Sequence, residues 1–358
     1  KRTNLKAISR HFTFILFLVC FSAQAQQKVG LVLSGGGATG FAHIGVLKAL
    51  EERGIPIDYI TGTSAGALVG AMYASGFSPE EIEAYVLSEP FQLMVKGELE
   101  SDKKFYFFDD SNTSSMFNIP FSKDSILQKS IPMSFVNPRY FDFEMLRILG
   151  RTSASVGNDF NQLFIPFRCV ASDVVRKESV VFSNGNLNEA VRASMTFPLY
   201  LNPIRINGVL YFDGGLYDNF PLNAMYEQFD ADFIIGSNVT KNDIKANEND
   251  FFGMISSMMT TPTNYALPCQ EGMIIEPKTE VGTFDFKDVQ QAINDAEINS
   301  GFNIKDVVVG IAGQHIRSIQ HTDYISRSNP DEVIGGNDIQ QLIDQVNKLA
   351  MLPGEEII

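Results

Sequence analysis

The chain has no tryptophan, only three cysteines and far fewer basic than acidic side chains. So few cysteines in 358 residues exclude a disulfide scaffold as the source of its stability. The 28 basic and 42 acidic side chains give a formal net charge of −14, which repels phosphate backbones, so we expect no nucleic-acid partner. Apolar residues at 44% and charged residues at 20% are ordinary globular proportions and argue against disorder.

The N-terminal 25 residues have the three parts of a secretory signal peptide. A basic segment, residues 1–10, precedes ten mostly apolar residues, 12–21, and the small-x-small tripeptide at 23–25 predicts cleavage before Gln26. Because a bilayer helix needs roughly 20 apolar residues and no later stretch is long enough, we expect export, to the periplasm, the outer membrane or the medium. Cleavage would remove four basic residues and no acid, which makes the net charge −18.

The segment after this leader alternates between strand and helix patterns. Residues 28–33 and 57–60 have the short, Val- and Ile-rich pattern of buried strands, whereas residues 40–53 and 65–74 have helical spacing. Residues 78–81, SPEE, predict a helix start with a capping box. This alternation indicates a parallel sheet with right-handed crossovers.

The same alternation returns later in the chain. Asn207 and Gly208 lie between two apolar runs and predict a two-residue β-hairpin turn. The remaining predicted strands are 163–170, 179–182, 201–206, 209–212 and 232–236. The remaining predicted helices are 188–195, 251–259, 288–299 and 338–349.

Residues 91–161 interrupt this pattern and are rich in Phe and Tyr among Ser, Asn and Pro. We expect an inserted helical or loop subdomain with its own small core; an apolar lid or acyl-binding wall is the alternative. The predicted organisation is thus a catalytic domain over 26–240, with 91–161 as insertion or lid. Residues 241–358 would be the rest of that domain or a small helical extension.

The first segment that could form part of a binding or catalytic site is GGGATG, residues 35–40, between a predicted strand and helix. Its glycines leave backbone N–H groups free to approach an anion at a helix N-terminus. The same spacing marks dinucleotide-binding turns, which need an acid at the far end of the second strand. Asp58 is near the required distance but lies at the start of that strand, at the wrong end of the sheet.

The second segment is GTSAG, residues 62–66, a G-x-S-x-G elbow between a strand and a helix. Such an elbow exposes the serine hydroxyl at the sheet edge, so Ser64 is a candidate nucleophile. A helix N-cap serine is the alternative interpretation of the pentapeptide alone.

A nucleophilic serine needs a base. The histidines outside the leader are His43, within the first predicted helix, and His315 and His321, in the weakly patterned C-terminal part. They support a Ser-His-Asp triad poorly. Asp213 directly follows the predicted strand 209–212 and precedes Gly214 and Gly215; taken alone, this Asp-Gly pair fits a plain turn aspartate equally well. Combined with the elbow and the glycine loop, its carboxylate is the best candidate to accept the Ser64 proton.

In this order the three segments resemble the signature blocks of patatin-like phospholipases, and residues 171–173 and 193–198 are similar to the two intervening blocks. The resemblance covers residues 28–239 and suggests a bacterial, exported member. It implies a three-layer α/β/α fold with a mostly parallel central sheet, a Ser-Asp dyad of Ser64 and Asp213, and no metal or cofactor. It also implies an oxyanion hole and a set of motif glycines. The oxyanion donors would be Gly35, Gly36 and Gly37, and the other motif positions Gly40, Gly62, Gly66, Gly214 and Gly215.

One position departs from the pattern: the family often has Arg or Lys where this chain has Thr39. The expected function is hydrolysis of lipid esters, with a lipid or acyl-ester substrate and transient contact with a membrane or micelle surface. Two alternatives stay open. One is a triad esterase that uses His315 or His321; the other is an inactive lipid- or nucleotide-binding module.

Overall fold

The computed structural model describes residues 27–98, 134, 136–240, 262–264 and 272–299. The predicted leader, the predicted helices at 251–259 and 338–349, and His315 and His321 lie outside these residues. The strands are β1 (Val29–Leu33), β2 (Tyr59–Thr63), β3 (Phe167–Asp173), β4 (Glu178–Phe182), β5 (Ile204–Ile206), β6 (Val209–Asp213), β7 (Phe233–Ser237) and β8 (Gly272–Ile275). The helices are α1 (Ala42–Glu52), α2 (Ala65–Ala74), α3 (Pro79–Val86), α4 (Glu89–Lys96), α5 (Pro138–Ser155), α6 (Leu187–Ser194), α7 (Leu222–Gln228) and α8 (Val289–Asn299).

The strands form one mixed sheet in the order β5-β6-β3-β2-β1-β7-β8, with β4 also paired to β3. Strands β3, β2, β1, β7 and β8 are parallel to their neighbours in this order, whereas β4 and β6 run antiparallel to β3, and β5 antiparallel to β6. The predicted mostly parallel central sheet is therefore confirmed. Its antiparallel part is confined to the region around β3.

The sheet carries helices on both faces. Leu31 and Leu33 of β1 belong to the main core, which includes the buried sides of α1, α2 and α8. Val32, which points to the opposite face, packs with Leu222 and Met225 of α7. Apolar side chains on both faces of a strand are what a covered parallel sheet requires. No helix in the described part of the chain is long and apolar enough to cross a bilayer.

Local signals predicted several elements closely. Helix α2 has the predicted bounds. The capping box of α3 is present, because the Glu81 N–H donates to Ser78 Oγ and the Ser78 N–H donates to Glu81 Oε2. Asn207 and Gly208 have φ of 49° and 85°, the pair of positive values that a type I′ hairpin turn requires.

Several predictions differ from the structure, among them the strand predicted at 163–170, which is β3 at Phe167–Asp173. Strand β2 continues to Thr63 instead of ending at residue 60, so the turn begins only at Ser64. The described parts of 91–161 share the main core, to which Phe91, Phe141 and Phe160 all belong. The separate small core expected for this segment is therefore absent from its described residues.

Candidate active site

Strand β3 brings the two predicted catalytic residues together. Residues Cys169 to Asp173 of β3 all pair with β4 along one edge of β3. Strands β2 and β6 must therefore share the other edge. On that edge Thr63 of β2 is opposite Val170, and Asp213 of β6 is opposite the next residue, Ala171. The two strands therefore meet end to end, with Ser64 leaving one and Asp213 ending the other.

The backbone at Ser64 is strained. Its φ of 53° and ψ of −123° lie where L-residues are rare, and the residue is followed at once by helix α2. The glycines on either side allow this turn, because an added Cβ at Gly62 would lie 2.5 Å from the Gly66 carbonyl oxygen. An added Cβ at Gly66 would lie 2.5 Å from the Ser34 carbonyl oxygen, so this glycine also brings the elbow against the glycine loop.

The hydroxyl of Ser64 donates a hydrogen bond to Asp213 Oδ2 at 2.8 Å. The other carboxylate oxygen, Oδ1, accepts the N–H of Gly215 at 2.8 Å. Asp213 is buried, 4% exposed, and burial raises its pKa to about 7, against the opposing effect of these two hydrogen bonds. A carboxylate that titrates near neutral pH and already accepts a hydrogen bond from the serine hydroxyl is suited to act as a general base.

The backbone of Ser64 is held by α6. The Ser64 N–H donates to Ser194 Oγ at 2.8 Å, and the Ser194 hydroxyl donates in turn to the carbonyl oxygen of Val170 at 2.6 Å. Ser194 is fully buried. The sequence placed Ser194 in a family block but assigned it no role; only its place next to Ser64 in the fold reveals one.

The residues after α6 hold Asp213. The Asp213 N–H donates to the Thr196 carbonyl oxygen at 2.8 Å, and the Thr196 hydroxyl accepts from the buried guanidinium of Arg192. Arg192 Nε also donates to Asp142 Oδ1 of α5 at 2.6 Å. A single helix end thus fixes the backbone of both members of the Ser-Asp pair.

The glycine loop lies beside the elbow, but its three N–H groups are not equivalent. The Gly35 N–H donates to the Asn219 carbonyl oxygen at 3.0 Å. Gly36 and Gly37 precede the hydrogen bonds of the 3-10 helix Gly37–Phe41, so that helix leaves their N–H groups unused. The Gly35 N–H is therefore already engaged in this structure, and the predicted role of Gly35, Gly36 and Gly37 as oxyanion donors stays a prediction.

The loop is stabilised by contacts that sequence patterns do not reveal. Gly37 has φ of 59°, and an added Cβ there would lie 2.3 Å from the Thr283 carbonyl oxygen, which also accepts the Ala38 N–H at 2.7 Å. The Asn219 side chain lies against Gly35, where an added Cβ would be 2.3 Å from its Oδ1. Because Thr283 and Asn219 are distant in sequence from the loop, no local signal could have found them.

The residue that departs from the family pattern closes the loop. Thr39 Oγ1 donates to the Gly36 carbonyl oxygen at 2.7 Å, so a neutral hydroxyl serves the loop's own geometry at this position. Asp58 accepts the Val29 N–H at the start of β1, at the opposite end of the sheet from Ser64. This is the location that argued against a dinucleotide site in the sequence.

The histidine of α1 is hydrogen-bonded to Ser34, the residue that precedes the glycine loop. His43 is fully buried, and its Nε2–H donates to the Ser34 carbonyl oxygen at 2.8 Å while Nδ1 accepts the Ser237 hydroxyl at 2.7 Å. The carbonyl can only accept, which assigns the proton to Nε2. Burial lowers the pKa of His43 to about 4, so the ring is neutral and structural. Within the described ranges, no three His, Cys, Asp or Glu side chains gather to hold a metal ion.

Comparisons with known proteins show which family the chain resembles in sequence. The family model described as patatin-like phospholipase matches residues 31–226, more than half of the chain. Lysophospholipase NTE1 of Cryptococcus neoformans is 33% identical over 209 residues, which are 58% of this chain and 11% of the fungal protein. A patatin-like phospholipase domain-containing protein of Caenorhabditis elegans is 30% identical over 206 residues, 56% of this chain and 13% of the nematode protein.

The chain thus spans only about a tenth of the length of these curated relatives. They are fungal and nematode proteins, and they give no support to the expectation of a bacterial, exported member. Among solved structures, VipD from Legionella pneumophila matches with a TM-score of 0.40 at 15% identity, over 76% of this chain and 68% of VipD.

Proposed function

The chain belongs to the patatin-like phospholipase family, and from this premise we propose that it is a serine hydrolase of lipid acyl esters, of the phospholipase A, lysophospholipase or esterase type. The observation that carries the proposal is the 2.8 Å hydrogen bond from the hydroxyl of Ser64, whose backbone is strained, to the buried Asp213 carboxylate. The names of the relatives, lysophospholipase and patatin-like phospholipase, agree with this substrate class.

In the proposed mechanism, Ser64 Oγ attacks the ester carbonyl carbon while its proton passes to Asp213 Oδ2. The negative oxygen of the tetrahedral intermediate is stabilised by the N–H groups of Gly36 and Gly37; losing one such donor typically costs about 100- to 1000-fold in rate. The C–O bond then breaks, and Asp213 returns the proton to the departing alcohol or lysolipid. A water molecule next loses a proton to Asp213 and attacks the acyl-serine. The bond between the acyl carbon and Ser64 Oγ then breaks, Asp213 passes the proton to Ser64 Oγ, and the fatty acid leaves.

The test compares wild type, Ser64→Ala, Asp213→Asn and a His315→Ala/His321→Ala double variant on p-nitrophenyl butyrate and phosphatidylcholine. We expect both dyad variants to lose roughly 10⁴-fold or more in kcat while they keep their circular dichroism spectra. The double histidine variant should keep full turnover. His43 is left intact because its buried hydrogen bonds would confound the result.

The same experiment separates the alternatives. Loss of turnover in the histidine variant with retention in Asp213→Asn would replace the dyad with a triad. A wild-type protein that neither turns over esters nor reacts at Ser64 with a fluorophosphonate would overturn the hydrolase proposal. Saturable NAD binding by that protein would then favour a nucleotide-binding module.

We propose further that the protein is exported by cleavage of residues 1–25 and acts, as a bacterial family member, at a membrane or micelle surface. Support comes from the sequence of that segment alone. Export is tested by expressing the full chain with its leader in a bacterial host and sequencing the N-terminus of the mature protein. A mature chain that begins at Gln26 is expected, whereas retention of residues 1–25 contradicts the proposal.

A further inference from the structure

The strands around β3 form a small antiparallel extension of the sheet that projects past the candidate active site. It consists of β4, the second half of β3, β6 and β5, which pair in that order. Its two turns, residues 174–177 between β3 and β4 and residues 207–208 between β5 and β6, lie at the same end. From Ala171, level with Asp213, β3 continues two residues to Asp173, which at 3.3 Å a residue is about 7 Å, and the turn with Val175 follows it.

The turn between β3 and β4 is held in a defined conformation. Asp173 Oδ1 accepts the N–H groups of Val175 and Arg176 at 2.9 and 3.0 Å, and the Lys177 N–H donates to the Asp173 carbonyl oxygen at 2.8 Å. Lys177 completes the turn with φ of 59°. The turn is therefore an ordered projection that presents its side chains in fixed directions.

These side chains combine an exposed apolar group with positive charge. Val175 is 79% exposed, and its chain neighbours Arg176 and Lys177 are exposed as well, in a chain whose net charge is −14. Arg205, exposed on β5, donates to the Gly208 carbonyl oxygen of the second turn at 2.6 Å. The acids nearby are the buried Asp173 and the exposed Glu178, each 3.7 to 3.9 Å from the Arg176 guanidinium. The Arg176–Glu178 pair is solvent-exposed on both sides and neutralises little, whereas the buried Asp173 carboxylate already accepts two backbone N–H groups of the turn. The apolar side chains of the second hairpin, Ile206 and Val209, are half-buried.

We propose that these two turns are the contact through which the protein meets a lipid surface that carries anionic headgroups. Val175 would enter the headgroup region while Arg176, Lys177 and Arg205 pair with lipid phosphates. Because both turns lie beyond the carboxyl end of β3, the end at which Ser64 and Asp213 meet, this contact would bring that end of the sheet to the lipid. The biological purpose of this contact rests on the proposed lipid-ester function. The vesicle-binding test does not, because it requires no hydrolysis.

The test measures co-sedimentation of the full chain, carrying Ser64→Ala to prevent hydrolysis, with vesicles of phosphatidylcholine with or without phosphatidylglycerol. Val175→Asp should weaken binding to the mixed vesicles by about tenfold, since it replaces an apolar contact with a repelled charge. Lys177→Ala should weaken it by about fivefold, and only when phosphatidylglycerol is present.

The matched control is Phe164→Asp. Phe164 is 82% exposed but precedes the amino end of β3, whereas the two turns lie beyond its carboxyl end. Its substitution should therefore leave vesicle binding unchanged. Unchanged binding in Val175→Asp, an equal loss in Phe164→Asp, or no binding by the parent chain would each overturn the proposal. Phosphatidylglycerol-dependent binding that Val175→Asp alone abolishes supports it.

A separate measurement distinguishes this proposal from the proposed function. With the serine restored, Val175→Asp should hydrolyse the soluble ester p-nitrophenyl butyrate at the wild-type rate and lose turnover only on vesicles. If the wild-type chain hydrolyses no ester while the vesicle-binding pattern holds, the function fails and the contact stands. If Val175→Asp reduces turnover of the soluble ester as well, the residue acts on the site itself and the contact proposal is overturned.

Discussion

Among single residues, Asp213 has the environment with the most direct consequence for activity. Its carboxylate must be ionised to accept the Ser64 proton, and burial raises its pKa to about 7. We therefore predict that kcat/KM for a soluble ester rises with pH through about 7 and levels off above it. The measurement is a pH-rate profile on p-nitrophenyl butyrate. An apparent pKa near 4, the value of an exposed aspartate, would contradict the burial argument.

Ser194 is the residue whose hydroxyl holds the strained backbone of Ser64 in place. Ser194→Ala removes the acceptor of the Ser64 N–H and leaves that group without its partner, a change that costs about 1–3 kcal/mol. Part of this cost should appear as relaxation of the elbow, so we predict about a tenfold or greater fall in the rate of fluorophosphonate labelling of Ser64.

Ser153→Ala is the control for this prediction. Ser153 is also buried, and its hydroxyl accepts a backbone N–H, that of Leu187, but at the far end of α6 from the site. It should lower the melting temperature to a similar extent without slowing the labelling. Equal slowing in both variants would mean that general stability, and not the position of Ser64, controls reactivity.

At the scale of elements, the β5–β6 hairpin rests on the conformation of its turn. Gly208 has φ of 85°, and an added Cβ would meet nothing within 4 Å, so a substitution there tests backbone strain without steric overlap. We predict that Gly208→Ala lowers the free energy of unfolding by about 1–2 kcal/mol, and that Gly208→Asn costs less because Asn tolerates positive φ. Urea denaturation measures both; equal losses would contradict the strain argument.

The same scale shows what the sequence could predict. Elements with a local chemical signature were predicted closely: helix α2 after its elbow, the capping box of Ser78 and Glu81, and the Asn207–Gly208 turn. Strand β8 was missed, because Gly272–Ile275 is short and lies where the apolar pattern is weak. The packing of α4 and α5 into the main core was also missed, since amphipathic spacing shows that a helix has a buried face but not which core receives it.

For the site, the sequence predicted which residues would meet but not how. Ser64 and Asp213 could be named because each ends a strand beside glycines, and their hydrogen bond is present. Their catalytic roles stay a prediction until the variants are measured. The end-to-end meeting of β2 and β6 on one edge of β3, and the engagement of the Gly35 N–H by Asn219, depend on contacts distant in sequence, which carry no local pattern.

At the scale of the whole molecule, two buried groups act on stability in opposite directions. His43, with its pKa lowered to about 4 in the folded state, contributes stability that is complete above pH 6.5 and is lost as the pH falls toward 4. Asp213, with its pKa raised to about 7, keeps a proton that the unfolded chain has released, so its contribution falls as the pH rises from about 4 to 7. Burial also raises the pKa of Asp218, to about 6, which adds to the second effect.

We predict that Asp213→Asn changes the pH dependence of the unfolding free energy. Between pH 4 and 6.5 it should make the slope of the unfolding free energy against pH more positive by about 1.4 kcal/mol per unit, because one bound proton no longer distinguishes the folded state. Urea denaturation at a series of pH values measures the slope. Parallel curves for wild type and Asp213→Asn would contradict the raised pKa, whatever the effect of the substitution on activity.

The separation of Ser64 and Asp213 by 149 residues also has a consequence for biosynthesis. At about 5–20 residues per second, a ribosome adds the serine roughly seven to thirty seconds before the aspartate. During that interval the elbow and β3 can form, but the edge of β3 reserved for β6 is empty and the serine has no proton acceptor. Until β6 docks, the Ser64 hydroxyl cannot pass its proton to Asp213, so under the proposed mechanism the nascent chain cannot yet hydrolyse an ester.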